Sequence, residues 1–180
     1  MRQSLIKTGG SKQIDLSKYD DFFLVGLGVN LRTLGRMLHN IHSQISDAEH
    51  KPTVSNAILA AAHIHKLKQT TANHIIDLIR SEIQAPIRLI PEPLYAPDLI
   101  DDPDLPFLKT IHSLNMNKFT YSLFITNIMK TFGDKIEVMT QPDETREREI
   151  FTKAIFSRDK EGDRAHKNEA YGKIVMERFF

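Results

Sequence analysis

The sequence predicts an α/β three-layer sandwich built on a parallel sheet, and three observations carry that expectation. Three short apolar runs, 21–28, 85–93 and 135–142, each stop at turn formers. They are apolar on both faces, as strands of a sheet covered on both sides are. Segments of helical periodicity lie between them, and strands alternating with helices build parallel sheets. The composition is 41% hydrophobic and 26% charged over 180 residues, enough for one sizeable core.

The first run, "DFFLVGLG", leads into a helix over 31–46 with Leu31, Leu34, Leu38, Ile41 and Ile45 along one side. The longest helical stretch, 55–84, opens on Ser55, whose hydroxyl suits an N-cap, and repeats Ile75, Ile76, Ile79 and Ile83 at helical spacing. The second run, "APIRLIPEP", precedes a long loop over 92–106. A further helix, 117–132, ends at Gly133 as a C-terminal cap. The third run, "KIEVMTQP", opens an irregular stretch. A last helix covers about 167–180 with Tyr171, Ile174, Val175 and Phe179 inward. There is no repeat, low-complexity tract or flexible linker, so 1–180 reads as a single domain.

Lys plus Arg is 24 and Asp plus Glu is 23. That balance gives no electrostatic attraction for nucleic acid or an anionic membrane, so neither is expected as a partner. The absence of cysteine excludes disulfides, thiolate metal sites and a cysteine nucleophile. The N-terminus lacks a signal-peptide core and no apolar run approaches a membrane span, so the chain as written reads as cytoplasmic. An upstream targeting segment stays open.

Function in such sheets gathers at the carboxyl ends of the strands. Those ends are 26–30, 92–106 and 141–149, and the polar turn before the last helix is expected to face the same side. That turn carries Asp163 and His166, three residues apart, and the first strand end carries Asn30.

Two segments together resemble the SGNH (GDSL-type) hydrolases. "YDDFFLVGLGVN" (19–30) is similar to their strand running into Gly-x-Asn, here Gly28, Val29 and Asn30. "GDRAHKNEAYG" (162–172) is similar to their Asp-x-x-His block before a C-terminal helix, with the His-x-Asn and Tyr-Gly that often follow. The resemblance runs from about Tyr19 onward. It implies a flavodoxin-like fold and hydrolysis of an ester, or acyl transfer, without metal or organic cofactor. His166 would be the base, Asp163 its orienting partner and Asn30 an oxyanion donor. The implied partner is a small-molecule ester or an acylated carbohydrate.

The family pattern starts with a strand and Gly-Asp-Ser, and this chain has no Gly-Asp-Ser. The nearest match, Ser11 after Gly9 and Gly10, lies too close to Asp21 for the strand–helix–strand unit that should intervene, which takes about 30 residues. Ser43, Ser46, Ser55, Ser81 and Ser122 fall within or at the edge of helical patterns. Ser113 and Ser157 lack a strand-to-helix turn. The nucleophile is therefore unidentified, and the domain reads as lacking its N-terminal strand or strands. A fragment, a misassigned start and a genuinely truncated, non-catalytic binding or scaffold module all remain open. Without its neighbour the first strand would present an apolar edge, which predicts homodimerisation there or poor solubility.

Plainer readings accompany each candidate. Asp163 and His166 also suit a charged helix entry, and Asn30 also suits an N-cap for 31–46. His39 with His42, and His63 with His65, lack a carboxylate companion in sequence, so no metal is expected. Asp98, Asp101, Asp102 and Asp104 form a solvated loop expected at the rim of the site. Tyr95 and Phe107 suit either a substrate cleft or the core, and 146–149 reads as surface. Gly26, Gly28 and Gly35 miss the Gly-x-Gly-x-x-Gly spacing of dinucleotide sites.

Overall fold

The computed structural model describes residues 15–45, 54–157 and 166–179. Its architecture is mixed α/β. Strands β1 (Phe22–Val25), β2 (Ile87–Ile90) and β3 (Glu137–Val138) form a parallel sheet in that order. Between β1 and β2 the chain runs through α1 (Leu31–Ile45), α2 (Asn56–Leu67) and α3 (Thr71–Glu82). Between β2 and β3 it runs through α4 (Pro106–Ser113) and α5 (Asn117–Phe132). A short antiparallel pair, β4 (Arg146–Glu147) and β5 (Phe151–Thr152), precedes the last helix, α6 (Glu169–Phe179). Helical crossovers are what keep successive strands parallel. Among the described residues no helix is long and apolar enough to cross a membrane.

Each run supplies its strand from its centre, where β-branched and aromatic residues concentrate. Leu24, Ile87 and Leu89 bury one part of the sheet, and the buried faces of α1 and α5 (Leu34, Leu38; Phe124, Ile128, Phe132) cover it. On α6 only Tyr171 of the expected inward residues is buried; Ile174, Val175 and Phe179 are partly covered.

Three features depart from the expectation. First, β1 is the end strand among the described residues, so it is not covered on both sides, and Val25 is 59% exposed. Second, the stretch 55–84 divides at Thr70. Its hydroxyl donates to the Leu67 carbonyl (2.7 Å) and accepts from the Asn73 N–H (3.4 Å), closing one helix and capping the next. Ser55 caps α2 as expected, accepting from the Ile58 N–H at 3.3 Å. Third, α4 was not anticipated. Pro106 occupies its first turn, where proline forfeits no helical hydrogen bond. Gly35 of α1 then lets Phe107 approach, because a Cβ there would lie 2.3 Å from the Phe107 ring.

Candidate functional site

The first strand end turns sharply under the sheet. Gly26, Leu27 and Gly28 have successive φ values of 72°, 51° and 85°. Glycine reaches that region freely, whereas leucine is strained there by about 1 kcal/mol. Hydrogen bonds hold the turn. Gly26 N–H donates to the Ile90 carbonyl (2.8 Å), Val29 N–H to Gly26 (2.9 Å) and Glu92 N–H to Val29 (2.8 Å). Ala72 N–H, in the first turn of α3, donates to the Leu27 carbonyl at 3.1 Å. The division of 55–84 therefore serves the site, since it provides the helix start that grips this turn.

The facing wall, Glu92 to Tyr95, is fixed by a side-chain amide. Gln141 accepts the Leu94 N–H through Oε1 (2.9 Å), and its Nε2 donates to the hydroxyls of Thr145 (3.1 Å) and Thr152 (3.0 Å). Those hydroxyls donate onward to the Pro142 and Leu94 carbonyls, each at 2.7 Å. Every hydrogen is used once, so the network is satisfied and orients the amide. β5 adds a bond from Thr152 N–H to the Tyr95 carbonyl at 2.8 Å.

Between these walls lies a cleft of about 390 Å³, lined among others by Asn30, Glu92, Leu94, Tyr95 and His166. Asn30 and His166, singled out 136 positions apart in the sequence, thus share one cleft at the carboxyl end of the sheet. The Asn30 Oδ1 is buried without a hydrogen-bond partner, so its side chain does not cap α1. His166 is exposed, on a turn anchored by Asn168. The Asn168 amide donates to the Ile155 (2.7 Å) and Ser157 (3.3 Å) carbonyls, and its Oδ1 accepts the Tyr171 N–H at 3.1 Å, capping α6. The His-x-Asn pattern therefore has a mechanical sense: the asparagine docks the turn that carries the histidine. Asp163 lies outside the described residues, as does Ser11.

Tyr95 lines the cleft while Phe107, fully buried, packs edge-on against it with ring centroids 5.9 Å apart. One aromatic went to each of the two expected fates. Burial and the Glu92 carboxylate push the Tyr95 hydroxyl above its ordinary pKa, against the opposing pull of Arg32 and Arg36. The acidic loop is not at this rim. Asp101 and Asp102 line a separate groove with His39, whose Nδ1 meets the Thr110 hydroxyl at 2.8 Å, and Asp101 pairs with Lys109 at 2.9 Å. The loop is drawn there by α4, the helix the sequence did not announce.

His63 is fully buried between α2 and α5, with Nδ1 3.1 Å from the Asn127 amide nitrogen, and burial lowers its pKa to about 4. His65 is exposed beside Gln69 (3.0 Å). Among the described residues no group of three His, Asp or Glu side chains is placed to hold a metal ion. The cleft lining contains no serine, threonine or cysteine among the described residues. Ser157 bridges Lys167 beside His166, but its Oγ is buried and does not line the cleft.

Glu92, Gln141 and Asn168 were not recognised from the sequence as parts of this site. Asn168 had a local signal, an asparagine three residues before Tyr171 at a helix start. Glu92 and Gln141 had only their place at the expected strand ends, because their roles arise from strands meeting in space. The fold and site together define a parallel-sheet α/β protein with a ligand-sized cleft at its strand carboxyl ends. Compared with protein-family models, with curated proteins and with solved structures, the chain matches none.

Proposed function

We propose that this cleft is the base-and-oxyanion half of an SGNH-type ester hydrolase site, on a flavodoxin-like three-layer sandwich. The observation that carries the reading is that Asn30 and His166 both line one cleft. In the proposed reaction His166 removes the nucleophile's proton as it attacks the ester carbonyl. The Asn30 Nδ2–H donates to the oxyanion, and the protonated imidazole returns its proton to the departing alkoxide. Asp163 orients the imidazole. Water then releases the acid, with His166 repeating the same proton transfers. The substrate is a small-molecule ester or an acylated carbohydrate, and no step calls for a metal or organic cofactor.

The reading requires a serine delivered beside Gly26, at the carboxyl end of the terminal strand. A strand added along β1 is the route the sheet order favours. The same edge is where a second copy of the chain would pair, and light scattering tests that directly: a monomer at high concentration contradicts pairing.

A second reading, a non-catalytic binding module, is favoured by the lack of a serine, threonine or cysteine in the described lining. One assay separates the two. A chromogenic acetyl ester is incubated with the protein and with His166→Ala. Turnover above buffer that falls about 100- to 10,000-fold in the variant would support the hydrolase reading and show that this chain itself supplies the nucleophile. Equal rates remove His166 from the reaction. Absence of turnover in the wild-type chain that persists when a serine-bearing strand is supplied along β1 supports the binding module.

A further inference from the structure

The cleft ends at the start of α1, and neither Arg32 nor Arg36 lines it. Asn30 and Leu31 line it, Arg32 follows at once, and Arg36 lies one turn further on the same face. The close seating of Phe107 against Gly35, and of Tyr95 against Phe107, brings the Tyr95 end of the cleft to this ridge. The Tyr95 hydroxyl lies within electrostatic range of both arginines.

Neither guanidinium forms an ion pair with a carboxylate among the described residues, whereas Arg88 and Arg146 are each held by two acids. The Arg32 Nε is moreover buried without any hydrogen-bond partner. Arg32 is only partly covered, and its Nε is shut from water unmatched as the Arg146 Nε is, but Arg146 has acids on its other nitrogens. The groups that best engage an unpaired guanidinium are planar or tetrahedral oxyanions. The first turn of α1 contains no acidic residue to fill that place. Glu92 lines the cleft, but it is turned toward β1, its Cγ against Gly26.

We propose that Arg32 and Arg36 form an oxyanion-recognition subsite beside Tyr95, so that the cleft selects esters carrying a carboxylate or phosphate group. This deepens the hydrolase reading and rests on it for the word ester; the anion subsite itself stands on the arginines. The scissile carbonyl would lie toward Asn30 and His166, and the anionic end of the molecule toward α1.

Calorimetric titration of the whole chain at low ionic strength tests it with unhydrolysable probes. Succinamate and butyramide have the same length and differ in a carboxylate against a methyl group, and inorganic phosphate is the third probe. Succinamate is expected to bind at least about 10-fold more tightly than butyramide. Arg32→Ala and the exposed-site variant Arg36→Gln should each cost it about 10-fold. Glu92→Gln should tighten it, by removing an opposing charge from the cleft lining. Phosphate that displaces succinamate extends the substrate class to phosphate esters; phosphate that does not displace it restricts the class to carboxylates. Equal binding of succinamate and butyramide, or arginine variants that bind as the wild type does, overturns the proposal. Because the probes are amides, loss of the hydrolase reading leaves these titrations unaffected, and ester turnover without anion preference sinks only the subsite.

Discussion

The two ends of the sheet are built on opposite terms. At the amino end polar groups are matched. Arg80 spans two loops, donating to the Ala85 carbonyl and twice to the Lys135 carbonyl (3.1 and 2.7 Å). Arg88 pairs with Asp21 and Glu137 and lies over the Phe23 ring at 5.1 Å, and Lys135 pairs with Asp77 at 2.7 Å. At the carboxyl end Leu27 is held at positive φ, and the Asn30 Oδ1 and Arg32 Nε are buried without partners. At the carboxyl end the satisfied Gln141 network thus stands beside unmatched groups at the end of β1. Such strain and unmatched donors persist where surrounding structure over-determines them, which is characteristic of binding sites. The comparison teaches that the molecule is secured at one end so that the other can be left poised.

The largest expected effect concerns what supports the poised end. Gly35→Ala would drive a Cβ to 2.3 Å from the Phe107 ring, between α1 and the aromatic pair that backs the cleft. A loss of about 3 kcal/mol in urea unfolding is expected. A near-neutral result would mean that α4 is not seated on α1 as described.

His63 sharpens the comparison from a third place, since its Nε2 is also buried and unmatched but lies far from chemistry, between two helices. Its folded pKa of about 4 lies below the ordinary histidine value of 6.5, so the stabilising neutral state is fully present above 6.5. As pH falls through 6.5 the unfolded chain takes up a proton that the folded chain refuses. Stability therefore drops by on the order of 3 kcal/mol by pH 4. Unfolding followed across that range in the wild type and in His63→Leu checks it. The same slope in both would assign the acid sensitivity to other groups.

The smallest effects test the two ends against each other. Arg80→Ala should cost about 1–2 kcal/mol, because it strands two carbonyls at the secured end. Asn30→Ala should stay within about 0.5 kcal/mol, because it breaks no hydrogen bond. Thermal melts that reverse this order would dissolve the distinction between the ends.

How much of this was legible differs by range of interaction. The strand runs and the helices at 31–45 and 117–132 follow from local periodicity, and burial of Leu34, Leu38 and Phe124 agrees with it. The break at Thr70 was hidden because isoleucine periodicity continues beyond it and a single hydroxyl does the dividing. α4 was hidden behind a run of aspartates and prolines, and only the cavity left by Gly35 explains its seat. For the site, Asn30 and His166 stood out through a resemblance at two ends of the chain. The wall between them depends on Gln141, whose partners Leu94 and Thr152 are brought together only by the folded sheet and hairpin. Tyr95 was noticed as an aromatic, while Arg32 and Arg36 were not singled out.

The central claim is that the Asn30 amide and the His166 ring receive the same ligand. Nuclear magnetic resonance can follow both side chains while ethyl methylphosphonate, an anionic tetrahedral mimic of an ester in reaction, is titrated in. The account predicts that the two signals shift together along one binding curve. Movement of only one of them, or of neither, would contradict it.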